Sequence, residues 1–329
     1  MVQAIDNSPT QLGYVNGVKC TQCGAYSSLT AMKEALGTIF VTGCFDNPHQ
    51  IDGGELLPVM DTERLMGILD PREIGKDILR KRFEKYPSYF GLLPELLPLQ
   101  LDHDGKPIIY VKDFGLSSLE KSRAIGPELG IDLFFLNDGA LPTGSFKDRA
   151  VTAAANISYA AGYREMHVAS TGNLVLSSLE IGSGAGMYVH ALLPEALSTA
   201  KKAKIEELVG AIRARGGRVD VDYHPYTYDH INYVITNRLI ESRNAEEGKA
   251  VAFSPNRDPR AWYGMGEWTA AVQLVAQLYY QHQAEEGKPI NVYLSGGSGK
   301  LTCMVTEASK ILQDLGILRS PDKSLVCTA

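Results

Sequence analysis

The spacing of hydrophobic positions changes along the chain, most clearly after about Pro107. From there, short runs of β-branched and other apolar residues alternate with longer stretches of helical periodicity. This alternation is typical of a parallel sheet covered by helices. The predicted strands are Ile108–Val111, Leu133–Leu136, Met166–Ala169, Tyr188–Leu192, Arg218–Val221, Ala250–Ser254, Ile290–Leu294 and Ser324–Cys327.

Helical periodicity fills the intervals between these strands. The predicted helices lie near Lys147–Ala161, Leu174–Ala185, Ser198–Arg215, Asp229–Arg243, Glu267–Gln283 and Leu301–Leu315. The stretch Trp268–Ala284 carries no formal charge, but its glutamines recur on one side, so we predict a packed helix of a soluble protein. Residues 1–90 differ from the rest because they carry a Cys-x-x-Cys and many glycine and proline breaks, which indicates an N-terminal extension.

Composition narrows the classes of function. The chain has 329 residues and a formal net charge of -6, which allows two domains and disfavours nucleic acid or an anionic membrane surface as a partner. Five scattered cysteines and a first segment unlike a secretory signal predict a reducing, cytoplasmic location.

One lysine stands at an unusual position. The segment Pro142–Arg149 places a Pro-Thr-Gly turn and a serine before Lys147, which opens a predicted helix. A cation is disfavoured beside the positive end of a helix dipole, whereas a neutral amine or imine is not. Such a lysine suits a Schiff base with pyridoxal phosphate. The alternative is a solvated lysine of the first turn, paired with Asp148.

The segment Pro142–Arg149 resembles the lysine motif of threonine synthases, which are fold-type-II, tryptophan-synthase-β-like pyridoxal phosphate enzymes. The resemblance implies that Lys147 carries pyridoxal 5'-phosphate and is the catalytic residue. It also implies an α/β fold of two parallel-sheet domains with the cofactor in their cleft, after the N-terminal extension. The implied limits are 91–164 with 246–329 for the larger, cofactor-binding domain and 165–245 for the smaller, mobile domain.

A second motif, Ser170-Thr171-Gly172-Asn173, follows a predicted strand. A turn of this composition offers backbone N–H groups to a carboxylate and an amide to a ring oxygen, although a simple helix cap is the alternative. In the resembled family the asparagine binds the phenolic oxygen of the cofactor. The resemblance therefore implies that Asn173 binds the cofactor and that Ser170, Thr171 and Gly172 bind the substrate.

A glycine-rich turn lies between a predicted strand and a predicted helix, where backbone N–H groups can cradle a phosphate. It comprises Gly296, Gly297, Ser298 and Gly299. The resemblance implies that these residues hold the cofactor phosphate. A nucleotide P-loop is the rival interpretation, but its spacing would need glycine at Leu294 and serine or threonine at Leu301.

The cysteines near the start raise the possibility of a metal. Cys20-Thr-Gln-Cys23 resembles the small cysteine knuckle that opens some threonine synthases, but Asp52 stands where the last cysteine would be. Cys20, Cys23 and Cys44 with His49 offer four ligands for tetrahedral zinc. We nevertheless predict a degenerate knuckle without metal.

The resemblance also implies a reaction. Threonine synthases convert O-phosphohomoserine and water to threonine and phosphate, so the implied class is a lyase that acts on the carbon–oxygen bond of a phosphate ester. The segment Ser254–Arg260 resembles the family's Ser-x-Asn-Pro-x-Arg stretch. Ser254 and Arg260 are therefore candidates for binding the substrate phosphate, with a solvated surface arginine as the alternative.

Several departures from the family concern the substrate. Leu174 stands where a threonine usually follows the asparagine, Ala150 replaces a glycine, and the sequence stops at Ala329, before the segment that contacts the pyridine nitrogen. These departures favour a related enzyme acting on another activated amino acid, such as O-phosphoserine, or a non-catalytic relative. We expect an amino-acid substrate and no nucleic-acid or membrane partner, and a homodimer is the candidate assembly.

Overall fold

The structure is a computed structural model that describes residues 12–36, 44, 56–69, 82, 92–103, 107–111, 116–248, 251–255, 260–282, 290–295, 299–318 and 325–328. The chain forms two compact units, each built from segments distant in sequence. The first unit comprises Met1–Met60, Pro98–Lys112 and Lys147–Gly266, and the second comprises Asp61–Leu97, Asp113–Phe146 and Glu267–Ala329. The domain limits implied by the resemblance stay a prediction.

The described elements run as follows. The strands are β1 (Val15–Cys20), β2 (Tyr26–Ser28), β3 (Leu56–Met60), β4 (Ser118–Lys121), β5 (Phe134–Asn137), β6 (Glu165–Ala169), β7 (Tyr188–Pro194), β8 (Val219–His224), β9 (Ala252–Phe253), β10 (Ile290–Tyr293) and β11 (Leu325–Thr328). The helices are α1 (Leu29–Leu36), α2 (Thr62–Ile68), α3 (Ile125–Leu129), α4 (Lys147–Ala160), α5 (Asn173–Gly184), α6 (Thr199–Ala214), α7 (Tyr228–His230), α8 (Thr236–Glu247), α9 (Arg260–Ala276) and α10 (Lys300–Asp314). A π-helical segment, Ile231–Ile235, joins α7 to α8, and another, Gln277–Gln281, follows α9.

A four-stranded parallel sheet organises the first unit, in the spatial order β8-β7-β6-β9. Helices α5 and α6 connect β6 to β7 and β7 to β8, as the alternating pattern predicts. The chain then returns, and β9 pairs with the other edge of β6. The strand order therefore reverses at β6, and open α/β sheets bind ligands outside the carboxyl ends of their strands at such a reversal. The loop that follows β6 begins at Ser170.

The core of this unit lies on both faces of the sheet. On one face, α5 packs so closely that a β-carbon at Gly182 would lie 2.6 Å from Val189 Cγ2. On the other face, Ala169 and Leu192 cluster with Ile231 of the π-helical segment. The central strands β6 and β7 lie between these layers and are mostly buried on both sides, which is why most of their residues are apolar.

One predicted strand does not form, and another pairs differently from the prediction. Ile108–Val111 is not a strand, because the amide oxygen of buried Asn156 accepts hydrogen bonds from the backbone N–H groups of Tyr110 and Val111 and replaces a strand partner. The strand predicted at Leu133–Leu136 forms as β5, but it pairs antiparallel with β4 instead of joining a parallel sheet. In the second unit, β10 and β11 do pair in parallel.

The predicted glutamine-bearing helix is packed, and two of its glutamines are buried. Gln273 of α9 and Gln277 are almost fully buried, and both donate hydrogen bonds to the backbone carbonyl of Ser117. These two glutamines therefore satisfy a buried chain segment. Within the described residues, no helix combines the length and the apolarity needed to cross a bilayer.

One face of the parallel sheet carries ionisable groups. His167 of β6 is 1% exposed and pairs in register with His190 of β7. Burial, aided by His190, lowers the pKa of the His167 imidazole to about 4, against the opposing influence of Glu165. Arg243 of α8 donates two hydrogen bonds to Glu165, at 3.0 and 2.6 Å, and these lower the pKa of that carboxyl. His167 is therefore neutral in the folded chain near neutral pH.

This burial predicts a pH dependence of stability. The unfolded chain protonates His167 near pH 6.5, but the native state does so only near pH 4. The free energy of unfolding is therefore unaffected by this histidine above about pH 6.5. It decreases, by on the order of 3 kcal/mol, as the pH falls towards 4, because the unfolded chain then binds a proton that the native state does not. Urea unfolding across this range should show a shallower loss for His167→Gln than for the wild type. His103→Gln, at an exposed histidine, should keep the wild-type slope; equal slopes for all three proteins would contradict the assignment.

Helices α4 and α9 approach each other closely at a glycine. A β-carbon at Gly266 would collide with the carbonyl oxygen of Arg149 and would lie 2.7 Å from the Cα of Ala150. Arg149 and Ala150 lie in the first turn of α4 and are fully buried. Gly266 therefore sets how near α9 comes to the residues that follow Lys147.

We predict that Gly266→Ala destabilises the protein by about 1–3 kcal/mol, because the added methyl group forces these two backbones apart. Gly210→Ala is the matched control, because no atom lies within 4 Å of a β-carbon at that helical position. The control should leave stability unchanged or raise it by about 0.5–1 kcal/mol. Urea unfolding measures both, and an equal effect of the two substitutions would refute the close approach.

Candidate functional site

The turn before Lys147 forms as predicted. The N–H of Gly144 donates to the carbonyl of Leu141 at 2.8 Å, and Gly144 has a φ of 76°, a left-handed conformation that favours glycine. Ser145 is buried, and α4 then begins at Lys147. The motif therefore places a lysine at the first residue of a long helix.

Lys147 is half-buried, and its amine faces an aromatic ring. Its Nζ lies 5.6 Å from the centroid of Tyr263, which belongs to α9 and is 3% exposed. A cation at this distance from a ring face is stabilised by the ring electrons. Sequence reasoning missed Tyr263, because only the approach of α9 at Gly266 brings it to the lysine.

The neighbouring acid is held inside the protein. Asp148 is 0% exposed, and its carboxylate accepts a hydrogen bond from the hydroxyl of Ser177, on α5, at 2.5 Å. A buried carboxylate needs such donors, because its desolvation is costly. The alternative of a solvated surface pair between Lys147 and Asp148 therefore does not describe this acid.

The same hydrogen bond relates two helix starts. Asp148 is the second residue of α4, and Ser177 lies one turn after Asn173, the first residue of α5. Residues four apart share a helix face. Asn173 is exposed, so its amide is accessible near the start of α4. The structure thus brings the ends that carry Lys147 and Asn173 to neighbouring positions.

The Ser170–Asn173 loop does not form a simple helix cap. The N-cap residue of α5 is Gly172, so no side chain caps the helix, and the N–H of Gly172 donates to the Ser170 hydroxyl at 3.3 Å. Thr171 is exposed. Leu174, by contrast, is 8% exposed and packs inward, so this position offers no polar group to a ligand.

Ser254 and Arg260 are described to different extents. Ser254 is 0% exposed and directly follows Phe253, which pairs with Met166 of β6. Its role in binding the substrate phosphate stays a prediction. Arg260 is the first residue of α9, and its side chain lies outside the described part of the structure.

The glycine-rich turn belongs to the second unit. Gly296, Gly297 and Ser298 lie outside the described residues. Gly299 has a left-handed φ of 74° and directly precedes α10. The predicted strand and helix on either side of this segment are present, as β10 and α10.

Three of the four candidate metal ligands lie together. The thiol sulfurs of Cys20, Cys23 and Cys44 are all within 4.8 Å of one another, and the Cys23 and Cys44 sulfurs are 3.5 Å apart. Burial opposes ionisation of Cys20, but hydrogen bonds from the N–H groups of Cys23 and Gln22 and with the Cys23 and Cys44 thiols together outweigh it, so the pKa of the Cys20 thiol is lowered. His49 lies outside the described residues, and the prediction about metal stays a prediction.

Comparisons with known proteins agree with the lysine motif. The profile of a family described as "Pyridoxal-phosphate dependent enzyme" matches residues 112–311, which is more than half of the chain. Threonine synthase of Methanocaldococcus jannaschii is 32% identical over 147 residues, covering 44% of this chain and 32% of the relative. Threonine synthase of Synechocystis sp. is 32% identical over 107 residues, covering 32% of this chain and 28% of the relative. The matched part spans about a third of the length of these relatives.

Solved structures are similar at a lower level. Maize serine racemase is 21% identical with a TM-score of 0.42, over 62% of this chain and 54% of that one. Diaminopropionate ammonia lyase of Escherichia coli is 15% identical with a TM-score of 0.47, over 64% of this chain and 57% of that one. Both scores lie below 0.5, and no activity is inferred from them.

Proposed function

Because the chain belongs to the pyridoxal-phosphate dependent enzyme family, we propose that it catalyses an elimination or replacement reaction on an O-phosphorylated amino acid. The specific candidate is the conversion of O-phosphohomoserine and water to threonine and phosphate. The position of Lys147 carries this proposal, since it is a half-buried amine that opens a helix within the matched region. The named activity of the partial relatives supports the choice of reaction.

The residues of the first unit fit the cofactor. Lys147 supplies the primary amine for covalent attachment, and the exposed amide of Asn173 can donate to the phenolic ring oxygen. Their helix starts are joined through the Asp148–Ser177 hydrogen bond. In the proposal, the turn that ends at Gly299 holds the cofactor phosphate with its backbone N–H groups.

Bound pyridoxal phosphate supplies an electron sink that stabilises negative charge at the substrate α-carbon. In the proposed mechanism, Lys147 as a free amine removes and returns the proton at this carbon. The Ser170–Gly172 backbone binds the substrate carboxylate, and the Tyr263 ring stabilises the protonated state of the amine. For O-phosphohomoserine, a β-proton is lost and the γ-carbon–oxygen bond breaks, so that phosphate leaves with the bonding electrons. The γ-carbon then gains a proton, and water adds its hydroxyl group to the β-carbon and gives up its other proton.

A second substrate is favoured by one observation. Leu174 is buried and apolar where a hydroxyl would face the reacting phosphate of O-phosphohomoserine. An apolar side chain cannot donate the hydrogen bond of a threonine. O-phosphoserine, whose leaving group stands one carbon nearer the α-carbon, is therefore the second candidate.

The test is phosphate release by cofactor-loaded protein, measured beside threonine formation, with O-phosphohomoserine and O-phosphoserine. We expect release with at least one substrate, and a decrease on the order of a thousandfold in Lys147→Ala, because the α-proton then lacks its base. Lys204→Ala, at an exposed lysine of α6, should retain the wild-type rate. Loaded protein that releases no phosphate from either substrate would contradict the proposal and favour a non-catalytic relative.

A further inference from the structure

An open cleft of about 630 Å³ lies at the carboxyl ends of β7 and β8, beside the Ser170–Asn173 loop. Thr171 forms part of its wall, and the remaining walls come from the chain after β7, the start of α6 and the chain after β8. All of these segments belong to the first unit. The cleft therefore lies next to the loop that is proposed to bind the substrate carboxylate.

A cation stands where the loop meets the cleft. The Nζ of Lys201, in the first turn of α6, lies 3.9 Å from the position that a β-carbon at Gly172 would occupy. Among the described residues, no hydrogen bond or ion pair engages this ammonium group. Lys201 is exposed, so its charge is accessible to a ligand in the cleft.

Two hydroxyl groups of the cleft retain hydrogens that they can donate. The Ser198 oxygen accepts from the N–H of Lys201, and the Thr227 oxygen accepts from the N–H of His230, both at 3.4 Å. A hydroxyl oxygen that accepts in this way keeps its own hydrogen for another acceptor. Ser198 and Thr227 therefore suit the oxygens of an anion.

Two further ionisable side chains line the cleft, and they differ in how they would affect a bound anion. Within the described part of the chain, the Nε2 atom of His224 is buried without a hydrogen-bond partner, although the residue lines the cleft. Glu195 also lines the cleft and opposes an anion. Its side chain is exposed and can turn towards water, whereas Lys201 is directed to Gly172.

We infer that this cleft receives the anionic side-chain group of the amino-acid substrate, with Lys201 as its counterion and Ser198 and Thr227 as donors. The inference rests on the proposed function and deepens it, since it names the group that selects the substrate. A phosphate ester and a carboxylate share this chemistry, and a phosphate makes fuller use of one cation and two hydroxyl donors. The cleft also provides the polar contact that Leu174 cannot make.

The test compares ligands that differ only at the side chain. Cofactor-loaded wild type, Lys201→Gln and Lys204→Gln are titrated with O-phospho-L-serine, L-serine and L-glutamate, and Kd is read from the visible absorption of the cofactor. We expect Lys201→Gln to weaken O-phospho-L-serine binding by about tenfold or more and to leave L-serine nearly unchanged. Lys204→Gln is the matched control on the same helix and should bind all three as the wild type does. A Lys201-dependent Kd for L-glutamate would identify the carboxylate as the anion.

Two results would overturn the inference. Equal weakening of O-phospho-L-serine and L-serine would place Lys201 on the α-carboxylate, and an unchanged Kd for both would show that the cleft is not used. Calorimetric titration of the loaded proteins with inorganic phosphate measures the dependence of anion binding on Lys201 without turnover. The phosphate binds elsewhere than the cofactor phosphate site, because the cofactor already fills that site. If phosphate release does not depend on Lys201, only this inference is wrong. If binding depends on Lys201 but no phosphate is released, only the proposed function is wrong.

Discussion

The buried hydrogen bond between Ser177 and Asp148 is the constraint on which the candidate site depends. Removing a carboxylate from water costs several kcal/mol unless hydrogen-bond donors surround it. The hydrogen bond between Asp148 and Ser177 therefore holds α4 against α5 in the folded protein. Lys147 precedes this acid by one residue, and Asn173 precedes the serine by one turn. The two groups assigned to the cofactor are therefore positioned by a contact that neither of them makes.

A second packing constraint acts on the same helix start. The close approach at Gly266 brings α9 onto Arg149 and Ala150, and it is this approach that puts the Tyr263 ring near the lysine amine. Ala150, where the resembled family commonly has a glycine, lies at this contact.

The parallel sheet and its helices follow from local pattern, because β6 and β7 are mostly apolar, β8 alternates apolar and polar residues, and the intervening helices have clear periodicity. The strand predicted at Ile108–Val111 fails because a side-chain amide, that of Asn156, takes the place of a neighbouring strand. Lys147 and Asn173 are predicted from their motifs. Tyr263 and Lys201 are not, because the roles proposed for them arise from contacts between segments far apart in sequence, which spacing along one segment does not encode.

The proposal that Lys147 carries the cofactor has a direct test. The cofactor-loaded protein is reduced with borohydride and digested, and the phosphopyridoxyl mass is located by peptide sequencing in a mass spectrometer. We expect the added mass on the peptide that contains Lys147. Its presence on another lysine, such as Lys300 beside the glycine-rich turn, or its absence from every peptide, would show that Lys147 does not carry the cofactor.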